Sequence, residues 1–355
     1  MKLYDYTGII HFHSEYSFDG RVGLPQIISA AAKCGIDFLM LTDHDHLQAR
    51  DKGWEGWNGK VLLVVGQEIS PRFNHYLAFN IPEPVRCPED VTGIAPQKYI
   101  DDVNRAGGFG IIAHPDHEGT KTFHVKHYPW TDWSVDGYAG ISIWDFMTDW
   151  QSSLNSYLPS LLSYFFPALY LRGPRQITLD RWDLLNQKKK IIGIGELDNH
   201  ASMKKVCGIT VEAFPFERAF KFVRTHILTK APLSQDSQKD INLLFSSLRH
   251  ARCYAAMEYF QHSQGFNFSI TQDNKEYYMG DAFALSSKAE MCVSFPKAAL
   301  IRVIKNGALI AEEIRKDLFL PVEESGVYRV EAYIKAYGKY RPWIFSNPIY
   351  IESQV

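Results

Sequence analysis

The stretch Gly8-Ile-Ile-His-Phe-His-Ser-Glu-Tyr-Ser-Phe-Asp-Gly20 decides the fold of the first half of the chain. An apolar run leads into His11 and His13, and Asp19 follows in a Ser-Phe-Asp-Gly turn. Side chains at positions i and i+2 of a strand point to the same face, so both imidazoles can reach one point at the end of the strand. Imidazole and carboxylate groups are typical ligands of divalent metals. The stretch predicts a strand that ends in a metal site, although two histidines alone fit an ordinary strand equally well.

The same chemistry recurs at the ends of later apolar runs. A helix over residues 24–34 and a strand over 36–41 follow the first strand, which predicts a βαβ unit and a parallel sheet. Ligands gather at the C-terminal ends of parallel strands, so metal-type side chains at several strand ends indicate one shared site. Four later runs end in such residues: Asp43 with His44, Glu68, His114, and Asp198 with His200.

Composition narrows the class of protein. The 355 residues are 46% hydrophobic, which is enough for two domains with large cores. A net charge of −2 gives no electrostatic reason to bind nucleic acid or an anionic membrane, and no basic stripe interleaved with aromatic residues indicates nucleic-acid binding. The five cysteines are scattered without CxxC spacing, which argues against a thiolate zinc site and a disulfide framework. Without a signal-peptide pattern or an apolar run of membrane-spanning length, we expect a soluble, cytoplasmic protein.

These segments resemble the PHP (polymerase and histidinol phosphatase) family of metallohydrolases over roughly residues 8–205. The resemblance rests on five motifs in the family's order: His11-Phe-His13 with Ser17-Phe-Asp19-Gly20, Thr42-Asp43-His44-Asp45, Gly66-Gln-Glu68-Ile69-Ser70, Ala113-His114-Pro115 and Asp198-Asn-His200. It implies an α/β fold, a distorted (β/α)7 TIM-like barrel, that holds two or three divalent ions (Zn, Mn or Fe). The implied ligands are His11, His13, Asp19, His44, Glu68, His75, His114, Asp198 and His200. Asp43 then orients a histidine or caps a helix, while Glu196 and Asn199 stand where the family has small residues.

The C-terminal part changes to short alternating strands with turns, including Asn306-Gly307 between two such runs. This pattern predicts a small antiparallel β-sandwich. The end of the chain resembles the carbaryl-hydrolase-like branch of the family, which appends such a domain. We expect a barrel over residues 1–255, with an insertion over its mouth at 150–175, and a sandwich over 256–355.

The resemblance implies a metal-dependent hydrolase of small phosphoesters, in which hydroxide activated by the metals attacks phosphorus. His46 and His117 are candidates for proton transfer, and Arg72, Arg172 and Arg175 are candidate substrate contacts. Hydrolysis of a carboxylic or carbamate ester needs the same metals and stays an alternative. A non-catalytic binding module that keeps metal for stability is a third. The sequence does not fix the oligomeric state.

Overall fold

The computed structural model describes residues 3–87, 95–206 and 209–353 of a mixed α/β protein. The first part alternates strands and helices: β1 (Tyr4–Ile10), α1 (Leu24–Lys33), β2 (Phe38–His44), α2 (Gln48–Asp51), β3 (Gly56–Asn58), β4 (Val61–Ile69), β5 (Tyr76–Phe79), α3 (Pro96–Arg105), β6 (Phe109–Ile112), β7 (Gly140–Asp145), α4 (Phe146–Gln151), α5 (Tyr157–Phe165), α6 (Pro167–Tyr170), α7 (Gln176–Asn186) and β8 (Ile192–Glu196). The remaining elements are mostly strands: β9 (Met203–Val206), β10 (Ile209–Glu212), α8 (Phe216–Ala219), β11 (Val223–Thr229), α9 (Ser237–Arg249), β12 (Cys253–Met257), β13 (Asn267–Gln272), β14 (Lys275–Tyr278), β15 (Ala282–Ala284), β16 (Ala289–Lys305), β17 (Ala308–Val322), β18 (Gly326–Ala336), β19 (Lys339–Ser346) and β20 (Ile349–Glu352).

Local sequence explains the first βαβ unit. Every residue of β2 and β4 is buried, as continuous apolar runs predict for strands covered on both faces. Helix α1 has Pro25 in its first turn, where the missing N–H is not needed. Gly35 follows its end with a φ of +67°, a left-handed conformation that glycine adopts without strain.

The strand directions place six strand ends at one edge of the sheet. Strands β1, β2 and β4 pair in parallel, and β6, β7 and β8 also pair in parallel. Strand β5 lies between the two groups and is antiparallel to both β4 and β6. Because β5 runs opposite to β4 and β6 runs opposite to β5, the strands β6, β7 and β8 run in the same direction as β1. The C-terminal ends of all six therefore point toward the same side.

The predicted closed barrel is wrong in one respect, because among the described residues no strand ladder joins β8 to β1. The edge of β1 is taken by β11, which pairs with it antiparallel from Tyr4↔Thr229 to Gly8↔Thr225. Closure occurs only past the strand ends, where Leu197 N–H donates to Ile10 O at 3.0 Å and His13 N–H donates to Asn199 O at 3.1 Å. The sheet is therefore open along its length and drawn together at the edge that carries the histidines.

The C-terminal strands β13–β20 surround a second hydrophobic cluster that includes Phe268, Val293, Ile301 and Val330 and to which Tyr254 of β12 also belongs. Their pairing is antiparallel, as predicted, except for the parallel pair β15–β20. A ladder between β12 and β19 joins them to the first sheet, so that eighteen strands form one continuous sheet. The boundary at residues 255/256 lies inside β12, and the separate sandwich domain stays a prediction.

The 150–175 segment forms the end of α4 and the short helices α5 and α6. Its last residues, Arg172 to Arg175, line a cavity together with His114. Among the described residues, none of the helices combines the length and apolar composition that crossing a bilayer requires.

Candidate metal centre

His11 and His13 lie at the C-terminal end of β1. The strand ends at Ile10, and His11 has a left-handed φ of 65°, so the two histidines do not continue the strand as predicted. Their Nε2 atoms nevertheless lie 3.3 Å apart, and both side chains are fully buried. A non-glycine residue at positive φ is strained and persists only where its surroundings hold it. Here His11 N–H donates to Met40 O at 3.2 Å, and Asp198 N–H donates to His11 O at 2.8 Å.

The Glu68 carboxylate is the centre of the cluster, and its Oε2 atom faces three imidazoles. This oxygen lies 3.0 Å from His44 Nδ1 and 3.4 Å from Nε2 of both His11 and His13. Glu68 is only 1% exposed and lies at the end of β4. Burial opposes its charge, but His11, His44 and the other imidazoles hold the pKa of Glu68 well below its usual range.

The second oxygen of Glu68 faces two further histidines. Oε1 lies 2.7 Å from His75 Nδ1 and 3.3 Å from His114 Nε2. His75 enters β5, while His114 follows β6 with a φ of 26°. Both histidines are buried. The ends of the antiparallel strands β5 and β6 therefore place His75 and His114 against the same Glu68 carboxylate.

Asp19 and His200 complete the outer part of the cluster. Asp19 Oδ2 lies 3.2 Å from His44 Nε2 and 3.0 Å from His200 Nε2. The His200 ring stacks on that of His13, with centroids 3.9 Å apart. Asp198, at a φ of 50°, places Oδ1 3.3 Å from His11 Nε2. The structure therefore brings all nine predicted ligands together: His11, His13, Asp19, His44, Glu68, His75, His114, Asp198 and His200.

The ligand atoms fall into groups that share members. In each group all atoms lie within 4.8 Å of one another: His13, Asp19, His44 and His200; His11, His114 and Asp198; His11, His13 and Glu68; and Glu68, His75 and His114. Because Glu68, His11, His13 and His114 each belong to two groups, the arrangement suits adjacent cations that share ligands rather than one isolated ion.

The hydrogen bonds around the cluster test whether cations fit it. Three histidines donate an N–H away from the centre: His11 Nδ1 to Glu196 Oε2 at 2.8 Å, His75 Nε2 to Pro71 O at 2.9 Å and His200 Nδ1 to Asp198 O at 3.2 Å. The inner nitrogen of a neutral ring then presents a lone pair to a carboxylate oxygen, which is repulsive unless a cation lies between them.

Two buried atoms support this fit. Glu68 Oε2 and His44 Nδ1 have no hydrogen-bond partner among the described residues, although they lie 3.0 Å apart. Leaving such groups unpaired inside a protein costs about 1–3 kcal/mol each, and more for charged groups. A set of imidazoles and carboxylates is the donor set that Zn²⁺, Mn²⁺ and Fe²⁺ accept. The residues therefore fit divalent cations.

Glu196, whose effect the sequence leaves open, contacts two of the predicted ligands from the end of β8. Its Oε2 accepts the His11 bond, and its Oε1 accepts the backbone N–H of His114 at 2.6 Å. Asp43 is predicted to orient a histidine or to cap a helix, but its carboxylate does neither in the described part of the chain. It accepts hydrogen bonds from Ser14 N–H and Ser14 Oγ, both at 2.7 Å, and so holds the chain next to His13.

The two histidines predicted for proton transfer form hydrogen bonds with residues outside the cluster, although the His117 ring lies 5.5 Å from that of His114. His46 donates from Nε2 to Tyr16 O at 2.9 Å and accepts from Gln48 N–H at Nδ1, and none of its described contacts reaches a ligand. His117 accepts Tyr128 N–H at Nδ1 and donates from Nε2 to Gln151 Oε1 at 3.0 Å. Burial and the neighbouring His114 lower the pKa of His117 to about 4, so the ring is neutral at pH 7.

The predicted substrate arginines separate into two locations. Arg172 and Arg175 line a cavity of about 1010 Å³ that reaches His114. Arg175 donates to Asp116 O and to Glu118 Oε1, at 2.8 and 2.7 Å. Arg72 is not among the residues that line this cavity; it donates to His127 O at 2.7 Å.

Two aromatic residues that sequence reasoning missed lie against the cluster. Phe18 is 81% exposed and stacks on His44 with centroids 4.8 Å apart. Tyr128 is half-buried, with its ring 5.2 Å from that of His75 and the Arg72 guanidinium 5.2 Å above it. The Ser-Phe-Asp-Gly motif contains Phe18, but no motif marks Tyr128, which a loop after β6 carries to the site.

No family model and no curated protein matches the chain, but solved structures resemble it. A two-domain protein from Bacteroides vulgatus ATCC 8482, containing a predicted PHP-like metal-dependent phosphoesterase, has a TM-score of 0.42 at 13% identity, covering 97% of this chain and 95% of that one. A protein from Bifidobacterium adolescentis ATCC 15703, described as a metal-dependent phosphoesterase, scores 0.32 at 14% identity, covering 58% and 92%. An amidohydrolase from Chromobacterium violaceum, with bound sulfate and no metal, scores 0.29 at 16% identity, covering 59% and 92%. At these TM-scores the likeness carries no argument about activity.

Proposed function

We propose that this chain is a metal-dependent hydrolase of small phosphoesters. The observation that carries the proposal is the buried Glu68 carboxylate, which faces five imidazoles while its Oε2 atom lacks a hydrogen bond. Cations would be held by the nine residues of the cluster. When bound, such ions supply Lewis acidity, which lowers the pKa of coordinated water and neutralises phosphoryl oxygens.

The cavity beside the cluster favours a phosphoester over an apolar carboxylic or carbamate ester. The described part of the 150–175 segment contributes polar or charged residues to its wall, namely Gln151, Ser152, Asn155, Arg172 and Arg175, besides Gly173 and Pro174. Apart from Pro174, the apolar residues of that segment, which would suit an aryl leaving group, do not line it. Arg172 and Arg175 would bind the anionic part of the substrate through their guanidinium groups.

The hydroxyl of Tyr128 is the group that we assign to the leaving oxygen. This hydroxyl has no hydrogen-bond partner among the described residues. The backbone N–H of Tyr128 donates to His117 Nδ1 at 3.1 Å. Burial raises the pKa of Tyr128, so the hydroxyl keeps its proton at neutral pH and can donate a hydrogen bond. In this proposal His117 positions Tyr128 instead of transferring the proton itself, and none of the described contacts of His46 reaches a predicted ligand.

The test uses the purified full chain, stripped of metal by a chelator and reloaded separately with Mn²⁺, Zn²⁺ or Fe²⁺. We expect hydrolysis of an aryl phosphate to disappear on stripping and to return on reloading. At equal metal loading, the aryl phosphate should react faster than the matching aryl ester. Turnover that survives complete stripping would overturn metal dependence, and a faster aryl ester would overturn the phosphoester assignment. A protein that binds metal but turns over neither substrate would support the non-catalytic alternative.

A further inference from the structure

An exposed apolar surface lies on the short helices α5 and α6. This surface, the α5–α6 face, is defined by seven large side chains that are 37 to 74% exposed: Tyr157, Leu158, Leu161, Leu162, Phe165, Phe166 and Leu169. Five of them lie on α5 at spacings of one, three and four residues, which places them along one stripe of the helix.

The opposite side of α5 is polar and buried. Ser160 is 5% exposed and Ser163 is fully buried. Their hydroxyls donate to carbonyls of the chain around them, Ser160 Oγ to Ser156 O at 2.6 Å and Ser163 Oγ to Ser160 O at 2.9 Å. A surface helix of a monomeric protein normally turns its apolar stripe toward the core and its polar side toward water. Helix α5 has the reverse orientation: its apolar stripe is exposed, although Tyr157 at its first residue makes a ring contact with Phe123, with centroids 6.1 Å apart.

Contacts on the inner side hold α5 and α6 in this orientation. Tyr164 donates its hydroxyl to Glu212 O at 3.0 Å, and Arg218 donates to Phe165 O at 3.2 Å. Arg341 donates to Leu169 O at 2.8 Å. Rotating the apolar stripe inward would break these bonds and bury the polar groups unpaired. The face is therefore fixed toward the outside.

The size of the α5–α6 face matches an interface between proteins. At roughly 200 Å² for each fully exposed large side chain, the exposed fractions correspond to about 760 Å² of mostly apolar surface. The largest apolar patch of a typical monomer is about 300–600 Å². A standard stable interface buries about 800 Å² on each partner, so this face alone provides most of one side of a dimer.

The lack of charged residues in the segment that carries the α5–α6 face favours a protein partner over a lipid surface. No charged residue occurs from Trp150 to Leu171. The nearby cations Arg218 and Arg341 already donate to carbonyls. Helices that lie on anionic membranes need free Lys or Arg beside their apolar side. An uncharged apolar stripe is instead complementary to itself, and a two-fold axis through it brings two identical stripes together.

We propose that the α5–α6 face is the interface of a homodimer in which α5 packs against α5 of a second copy. The dimer does not depend on the proposed activity. Removing both faces from water supplies the association free energy, since apolar burial is the main driving force of permanent subunit contacts.

Sedimentation equilibrium of the full chain at roughly 1 to 100 µM covers the weak end of affinities for an interface of this size. We expect a dimer, and we expect L161K to raise its dissociation constant at least about tenfold, because each dimer would bury two unpaired ammonium groups. The matched control is L184K, since Leu184 is 62% exposed on α7 and is not one of the residues of the α5–α6 face. It should leave the dissociation constant unchanged. Thermal melting of both variants checks that they fold.

A second measurement uses disulfide trapping. L161C should cross-link to its own copy under mild oxidation, whereas L184C should not. A wild-type chain that is monomeric at the highest concentration would overturn the proposal, as would equal effects of the two lysine variants. A monomer that co-sediments with phosphatidylcholine–phosphatidylglycerol vesicles would assign the face to lipid instead and would equally overturn it.

Discussion

The Glu196 carboxylate lies 2.8 Å from His11 Nδ1 and fixes the tautomer of that ring, so that the His11 Nε2 lone pair points into the cluster. The other Glu196 oxygen accepts the backbone N–H of His114 at 2.6 Å. One buried side chain at the end of β8 thus positions two predicted ligands, from β1 and from β6, both of which have left-handed backbones. Glu196 therefore acts on the cluster through His11 and His114 and is not itself one of the predicted ligands.

Substitution of Glu196 should weaken metal binding without removing a ligand. We expect E196Q and E196A to lower metal affinity roughly 10- to 100-fold, as loss of a carboxylate that orients a ligating histidine typically does. Competition with a chromogenic chelator measures the affinity directly. E118Q, at the exposed rim of the cavity, is the matched control. If E196A binds metal as tightly as the wild type, the positioning role is wrong.

Glu68 belongs to two of the ligand groups, so its loss should affect more than one ion. We expect E68Q to bind at least one ion fewer per chain than the wild type, because the amide is a poorer ligand than a shared carboxylate. Elemental analysis of dialysed protein gives the stoichiometry. D198N is the comparison, since Asp198 belongs to one group only. Equal stoichiometry in the wild type and E68Q would contradict a shared ligand.

Removal of the Tyr128 hydroxyl should slow the reaction selectively. We expect Y128F to lower kcat about 10²- to 10⁴-fold for alkyl phosphates, whose leaving oxygen needs a proton, and much less for nitrophenyl phosphate. KM should change little, because the ring and its contact with His75 remain. Steady-state kinetics with the two leaving groups separates this role from a structural one. An equal loss for both substrates would argue against proton donation.

A buried histidine outside the cluster should make stability depend on pH. His226 is 1% exposed, with Nδ1 2.8 Å from Asp5 Oδ1 and Nε2 3.3 Å from Glu258 Oε1. Burial opposes its charge, but Asp5 and Glu258 overcome that effect and raise the pKa of His226 from 6.5 to about 9. A raised pKa contributes stability that is complete below pH 6.5 and is lost as the pH rises through 9.

Urea unfolding between pH 6 and 10 measures this contribution. We expect the free energy of unfolding to fall by roughly 3 kcal/mol between pH 6.5 and 9.5, because each tenfold difference in proton affinity between the folded and the unfolded chain corresponds to about 1.4 kcal/mol. The H226Q variant should be less stable at pH 6 and should show a flatter profile. A wild-type profile that rises across this range would contradict the assigned charge state of His226.

The sequence indicates the convergence of the cluster because strand ends in a parallel sheet share an edge, and most of the predicted ligands follow an apolar run. It cannot indicate the backbone of His11, since a left-handed φ there depends on bonds to Met40 and Asp198. His11 and His114, the hydrogen-bond partners of Glu196, are also far from it in sequence, so local pattern does not predict these bonds. Local sequence pattern does not predict strand pairing either, because β11 pairs with the edge of β1 through residues far apart in sequence, such as Tyr4 and Thr229.

Local sequence pattern also does not predict which residues of the 150–175 segment line the cavity. Arg172 and Arg175 line it, whereas the exposed apolar residues between Tyr157 and Leu169 do not. Periodicity shows that α5 has an apolar stripe but not which way the stripe points. That direction follows from Tyr164, Arg218 and Arg341, whose bonds anchor the other side.

Anomalous X-ray diffraction from crystals of the Mn²⁺- or Zn²⁺-loaded full chain would locate the cations themselves. We expect at least two anomalous peaks, each about 2.0–2.3 Å from a ligand atom of the cluster, with Glu68 bound to more than one of them. Loaded crystals with no anomalous peak among these nine side chains, or with peaks only at the protein surface, would contradict this expectation.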